Sequence, residues 1–143
     1  MSRAESSRAA PPRPEDFRFR ASEKIRYADQ DPQGHVNNVV FATYLEIGRT
    51  SILPPLLEIE EGAAFVVARL AIDYLTELAF PGEVLICTRL VSAGRTSLNI
   101  EQALFQSGHC AATALSVVVL VERASRRPRS LSQAGREWIS ARS

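Results

Sequence analysis

The chain has 143 residues, 45% of them hydrophobic and 23% charged, which is the size and balance of one globular domain. That excludes a wholly disordered, collagen-like or disulfide-dense chain, and the two cysteines, Cys87 and Cys110, fit a reducing cytoplasm. Seventeen Lys+Arg against sixteen Asp+Glu leave a formal charge of +1, so no global field selects nucleic acid or an anionic membrane surface.

The opening MSRAESSRAAPPRPED lacks the apolar segment of a secretory signal, and no later apolar run is long enough to cross a bilayer. Its Ser, Arg and Pro content predicts a flexible arm over residues 1–16, followed by a single domain over 17–143. FRFRASEKIRYA, from Phe17, reads as an extended segment. Pro32 and Gly34 then forbid a regular element in DQDPQGHVNN, which predicts a structured turn. From Val39 to Leu53 the residues Phe41, Tyr44, Leu45, Gly48 and Ile52 recur at helical spacing, behind Asn37 or Asn38 as cap, and Pro54-Pro55 end the pattern. After the acidic loop EIEEG the period becomes 2: Ala64, Val66, Ala68, Leu70, Ile72 and Tyr74 predict one face of a long strand. Further strands are expected at Val84–Ser92, Thr96–Phe105 and Cys110–Glu122, separated by Ala93-Gly94-Arg95 and Gln106-Ser107-Gly108-His109. The last is apolar on both faces, so it is expected to be central or covered by another subunit. A short helix over Leu131–Ala141 completes an α+β order, one long helix against a curled antiparallel sheet of about five strands.

Chemistry concentrates in the turn before the long helix. Asp29-x-Asp31-x-Gln33-Gly34 begins like a calcium loop, but Val40 stands where that loop needs a bidentate Glu. A zinc site needs three or four ligands, and the only histidines are His35 and the distant His109, so no metal is expected. No Gly-x-Ser-x-Gly elbow is present, and His109-Cys110 are strand neighbours pointing to opposite faces. Two readings survive: a polar turn with a helix cap, or a catalytic carboxylate, Asp31, beside unpaired helix N–H groups that can hold an oxyanion.

RYADQDPQGHVNNVVFATYLEIGR, residues 26–49, resembles the signature segment of hotdog-fold acyl-CoA thioesterases, the 4-hydroxybenzoyl-CoA thioesterase-like family and its acyl-carrier-protein relatives. Arg26-Tyr27, Asp31, Gly34-His35-Val36-Asn37-Asn38, Tyr44, Glu46 and Arg49 carry the match, and the later strands extend it over roughly residues 17–123. The resemblance implies a hotdog fold and hydrolysis of an acyl-CoA or acyl-carrier-protein thioester to free acid and thiol. Asp31 then takes the place of the nucleophile or general base, and the Asn38 backbone N–H that of the oxyanion donor. Gly34, His35, Asn37, Val40, Phe41 and Tyr44 become candidate substrate contacts, with Gln33 and Glu46 as auxiliary groups. Gln33 departs from the Asn of plant acyl-carrier-protein thioesterases, and the position of His35 is apolar in 4-hydroxybenzoyl-CoA enzymes. No cofactor is implied, coenzyme A being part of the substrate. Arg69, Arg89, Arg95, Arg126, Arg127 and Arg129 are candidates for its phosphates. A homodimer or homotetramer is implied, with no nucleic acid or membrane partner. The alternatives are a hotdog hydratase or dehydratase, whose Asp-x-Asn-Pro-x-His run is missing here, and a non-catalytic acyl-CoA-binding module.

Overall fold

The computed structural model describes residues 10–143, so the first nine residues of the expected arm lie outside the described part. A 3-10 turn at Pro14–Asp16 precedes the buried Phe17. Strand β1 (Phe19–Lys24) leads through a second 3-10 turn, Tyr27–Asp29, to the long helix α1 (Asn38–Ile52). A short helix α2 (Pro54–Ile59) follows directly. The prolines thus start a helix as well as end one, because a proline in the first turn has no N–H to lose. Then come β2 (Ala63–Tyr74), β3 (Glu83–Ala93), β4 (Ser97–Gln106), β5 (His109–Glu122) and the terminal helix α3 (Gln133–Arg142).

The five strands form one antiparallel sheet in the order β1-β3-β4-β5-β2. The hairpins β3–β4 and β4–β5, with β2 on the far side, place β5 inside the sheet; its residues alternate between buried and half-buried, so one apolar face packs on the core and the other stays partly open. Strand β2, twelve residues long, is left as an edge. Its inward face departs from the simple alternation. The register with β5 slips between Val67 and Arg69, so Ala68 is an extra residue. Ala63 and Phe65 point inward before the bulge, Leu70 and Ile72 after it.

Helix α1 lies against this sheet, and Gly48 marks the closest approach. A Cβ there would fall 2.6 Å from Ile86 Cγ2 and Gln102 Nε2. The core divides at that level. Phe41, Tyr44, Leu45, Ile86 and Leu104 fill one apolar cluster; Ile52, Leu56, Leu90, Ile100, Val118 and Ile139 fill the other. Between them runs a buried polar row of Thr88, Gln102 and Ser116 on three neighbouring strands. Gln102 Nε2 donates to the Leu45 carbonyl (2.9 Å) and to Thr88 Oγ1 (3.0 Å), and its Oε1 accepts from Arg49 (3.4 Å). Arg49 is buried and forms no ion pair with Glu46 one turn before it among the described residues; burial lowers its pKa, against the pull of the Glu46 charge.

Helix α3 is latched by Glu60, whose side chain is wholly buried. Its Oε1 accepts from the Ser132 backbone N–H (2.8 Å) and hydroxyl, while that hydroxyl caps the helix by accepting from Gly135 N (3.0 Å). Arg129 lies 3.5 Å from Glu60 Oε2, an ion-pair separation too long for a strong hydrogen bond.

Candidate active site

Two carboxylates flank the polar turn, and the fold separates their roles. Asp29 is 1% exposed. Its oxygens accept from the Arg26 backbone N–H (2.9 Å), the Arg26 guanidinium (2.8 and 3.0 Å) and the Tyr44 hydroxyl (2.8 Å). Burial alone would push the Asp29 carboxyl upward; the Arg26 N–H and guanidinium and the Tyr44 hydroxyl outweigh it and hold the pKa below its usual value. The same burial and hydrogen bond raise Tyr44 well above an ordinary tyrosine, and Asp29 raises Arg26. The Asp29 carbonyl also accepts from Asn37 N (2.9 Å), so this ion-bonded corner fixes where α1 begins.

Asp31 is only half-buried. Its Oδ1 accepts from the N–H groups of Gln33 (2.9 Å) and His35 (3.3 Å), while Oδ2 has no donor among the described residues. The loop around it is closed by Asp31 N–H to the His35 carbonyl (2.8 Å) and Gly34 N–H to the Asp31 carbonyl (3.0 Å). Gly34 sits at φ +86°, a conformation glycine adopts without strain. At the start of α1, Asn37 Oδ1 accepts from Val39 N (3.0 Å), as an N-cap does, and Val40 N bonds the Asn37 carbonyl (2.9 Å). The Asn38 N–H between them has no acceptor among the described residues. It carries the positive end of a 15-residue helix.

Asp31 and Asn38 line one cavity of about 420 Å³. From the sequence-predicted set it also gathers Gln33, His35, Asn37 and Phe41. The others lie elsewhere for physical reasons. Gly34 opens onto a neighbouring cleft with Tyr27 and Pro32, which Asp31 also lines from its other side. Val40 packs against the core, and Tyr44, expected at the substrate, is 2% exposed and turned inward to Asp29. Glu46 is exposed on α1 and does not line this cavity.

The far wall was absent from the sequence-level candidates. It is built by Tyr74 at the end of β2 and by Leu75, Thr76 and Glu77 beyond it. Tyr74 Oη donates to the Asn38 carbonyl (3.1 Å), and its ring meets Phe41 edge-on with centroids 5.1 Å apart. Glu77 Oε2 lies 2.9 Å from His35 Nε2. Contacts spanning some forty residues have no local sequence signal. Among the described residues, no group of three or more His, Cys, Asp or Glu is placed to hold a metal ion. Of the candidate phosphate arginines, Arg89 pairs with Glu101, Arg129 with Glu60 and Glu122, and Arg95 donates to Ser130. Arg69, Arg126 and Arg127 have no acidic partner among the described residues.

A five-stranded antiparallel sheet around one long helix is the hotdog fold, here with an acidic turn at that helix's N-terminus. Residues 25–139 match the family model of the thioesterase-like superfamily, and the chain belongs to that family. Among solved structures, a Thermus thermophilus thioesterase complexed with coenzyme A and Zn is 41% identical, with a TM-score of 0.80 over 89% of this chain and 95% of that one. A Pseudomonas aeruginosa protein is 29% identical, with a TM-score of 0.80 over 91% and 94%. A predicted thioesterase from Bacillus stearothermophilus is 26% identical, with a TM-score of 0.78 over 87% and 95%. A comparison with curated proteins found no match. Among the described residues no helix is long and apolar enough to cross a membrane.

Proposed function

We propose that the chain hydrolyses an acyl-CoA or acyl-carrier-protein thioester to free acid and thiol. One observation carries the reading: Asp31, whose Oδ2 is open, and Asn38, whose N–H is unpaired among the described residues, line the same cavity. The thioester carbonyl oxygen is placed against the Asn38 N–H, where the helix end stabilises developing negative charge. Asp31 Oδ2 attacks the carbonyl carbon or takes the proton of an attacking water. The C–S bond then breaks, and the thiolate, a good leaving group, departs without need of a metal or redox cofactor; on the nucleophilic route water then hydrolyses the acyl-Asp31 anhydride, so both routes end in free acid and thiol. Phe41 and Tyr74 form the apolar wall for the acyl end. The 41% identity to a thioesterase crystallised with coenzyme A supports CoA as the thiol half.

The working form is proposed to be a homodimer or homotetramer in the cytoplasm. Strand β2 supports this: its edge is unpaired in one copy, Val67 on it is 49% exposed, and its end builds the cavity wall. The test is release of free thiol from hexanoyl-, decanoyl- and benzoyl-CoA by wild type and by Asp31→Asn. The amide keeps the loop's acceptor geometry but cannot act as nucleophile or base. Turnover by Asp31→Asn within about tenfold of wild type, about 1.4 kcal/mol of barrier, refutes the assignment.

A further inference from the structure

Glu77 has no part in the chemistry so far, yet it faces the cavity across from Asp31 and makes one directed contact. The geometry points to Glu77 as a positioning residue for that chemistry, acting through His35; the inference rests on the hydrolytic reading above. The His35 backbone is held on both sides, its N–H by Asp31 Oδ1 (3.3 Å) and its carbonyl by the Asp31 N–H (2.8 Å). The ring is held from the opposite wall, with Nε2 2.9 Å from Glu77 Oε2. A carboxylate accepts and cannot donate, so the Nε2 atom carries a proton, and in the neutral ring Nδ1 keeps the lone pair. Among the cavity's lining side chains, only Asp31 and Glu77 are acidic and none is Lys or Arg. With Nε2–H directed at Glu77, the ring in its neutral form offers Nδ1 as an acceptor within the cavity that Asp31 also lines, able to orient the attacking water while Asp31 takes its proton. The side chains of His35 and Glu77 are 41% and 67% exposed, so solvent screens the pair and its effect lies in placement more than in stability.

The experiment compares Glu77→Ala, Glu77→Gln, His35→Ala and the double Glu77→Ala/His35→Ala in thiol release from the same three acyl-CoAs. Glu77→Ala is expected to lower kcat by about 10–100-fold, as a misplaced group does, with KM within about twofold. Glu77→Gln keeps an acceptor oxygen and restores most of the rate. In the His35→Ala background, Glu77→Ala changes nothing further, because its path is already cut. A second readout needs no turnover: in long-range ¹H–¹⁵N spectra His35 shows the Nε2–H tautomer in wild type and a mixture in Glu77→Ala. His109, the chain's other histidine, serves as the internal reference. Wild-type kcat in Glu77→Ala, additive losses in the double variant, or unchanged His35 ring signals each overturn the inference. A wild type inactive on every acyl-CoA overturns the hydrolytic reading and with it Glu77's catalytic role, while the ring spectra still report whether the pair exists.

Discussion

Removing one hydroxyl, by Tyr44→Phe, tests whether the Asp29 corner holds the start of α1. Asp29 is 1% exposed and takes the Tyr44 hydroxyl at 2.8 Å, so the substitution strips one hydrogen bond from a buried carboxylate and leaves the Arg26 donors in place. A hydrogen bond to a charged group contributes about 1.5–3 kcal/mol, and that is the expected loss at pH 7. The pH dependence has a definite sign. The Asp29 pKa is depressed on folding, so the stability it contributes is present above the ordinary carboxylate value and lost as pH falls through the folded value. The gap between wild type and Tyr44→Phe therefore narrows below about pH 4. Tyr44 is raised on folding, so its share is present below about pH 10 and lost at more alkaline pH; that alkaline loss disappears in the variant. Urea unfolding at pH 3, 7 and 10.5 measures all three. A difference under about 0.5 kcal/mol at pH 7, or one unchanged between pH 7 and pH 3, refutes the role of this corner.

Gly48→Val should cost about 1–3 kcal/mol in urea unfolding, because even its Cβ falls 2.6 Å from Ile86 Cγ2 and the sheet has no room to yield; an unchanged midpoint refutes the close contact. Glu60→Ala should free α3 before the rest unfolds, seen as a separate red shift of Trp138, the chain's single tryptophan, at low urea; one cooperative transition at the wild-type midpoint contradicts the latch. Ser116→Ala should be neutral or stabilising, since the buried hydroxyl has no partner among the described residues; a loss above about 1 kcal/mol reveals a bond the fold does not account for. Light scattering at micromolar concentration should give a dimer or tetramer mass, and an active monomer contradicts the role proposed for the β2 edge.

The long helix was legible because Phe41, Tyr44, Leu45, Gly48 and Ile52 repeat at 3.6 and Asn37 caps them, a local pattern that a local reading recovers. That Asp31 lies close to the start of α1 was legible for the same reason, a single turn separating it from Asn38, while the roles proposed for the two came from the family resemblance. Strand β2 was found, and Leu70 and Ile72 face inward as expected, but its inward face was misassigned ahead of Ala68, where Ala63 and Phe65 take the place of Ala64 and Val66, since a bulge is settled by the partner strand and not by the residues that bulge. Tyr44 illustrates the converse. Its spacing placed it on the helix's inner face, but nothing in the spacing said that a buried aspartate fifteen residues upstream claims its hydroxyl. Tyr74 and Glu77 were out of reach altogether, because they come to the cavity through the sheet's return path.

The extra residue at Ala68 makes β2 a strand read in two frames. Ahead of it, odd-numbered side chains serve the half of the core that holds α3; after it, even-numbered ones serve the half beneath the cavity, ending in the Tyr74 hydroxyl on Asn38. Side chains in a strand alternate with period 2, so the loss or gain of one residue anywhere between Phe65 and Leu70 exchanges inside for outside over everything beyond it. The wall facing Asp31 is thus specified jointly by the residues that form it and by a count made several residues earlier. Point substitutions at Ala68 can leave that count intact. A single-residue deletion there erases it, withdrawing Tyr74 from the helix start without altering any residue of the cavity itself.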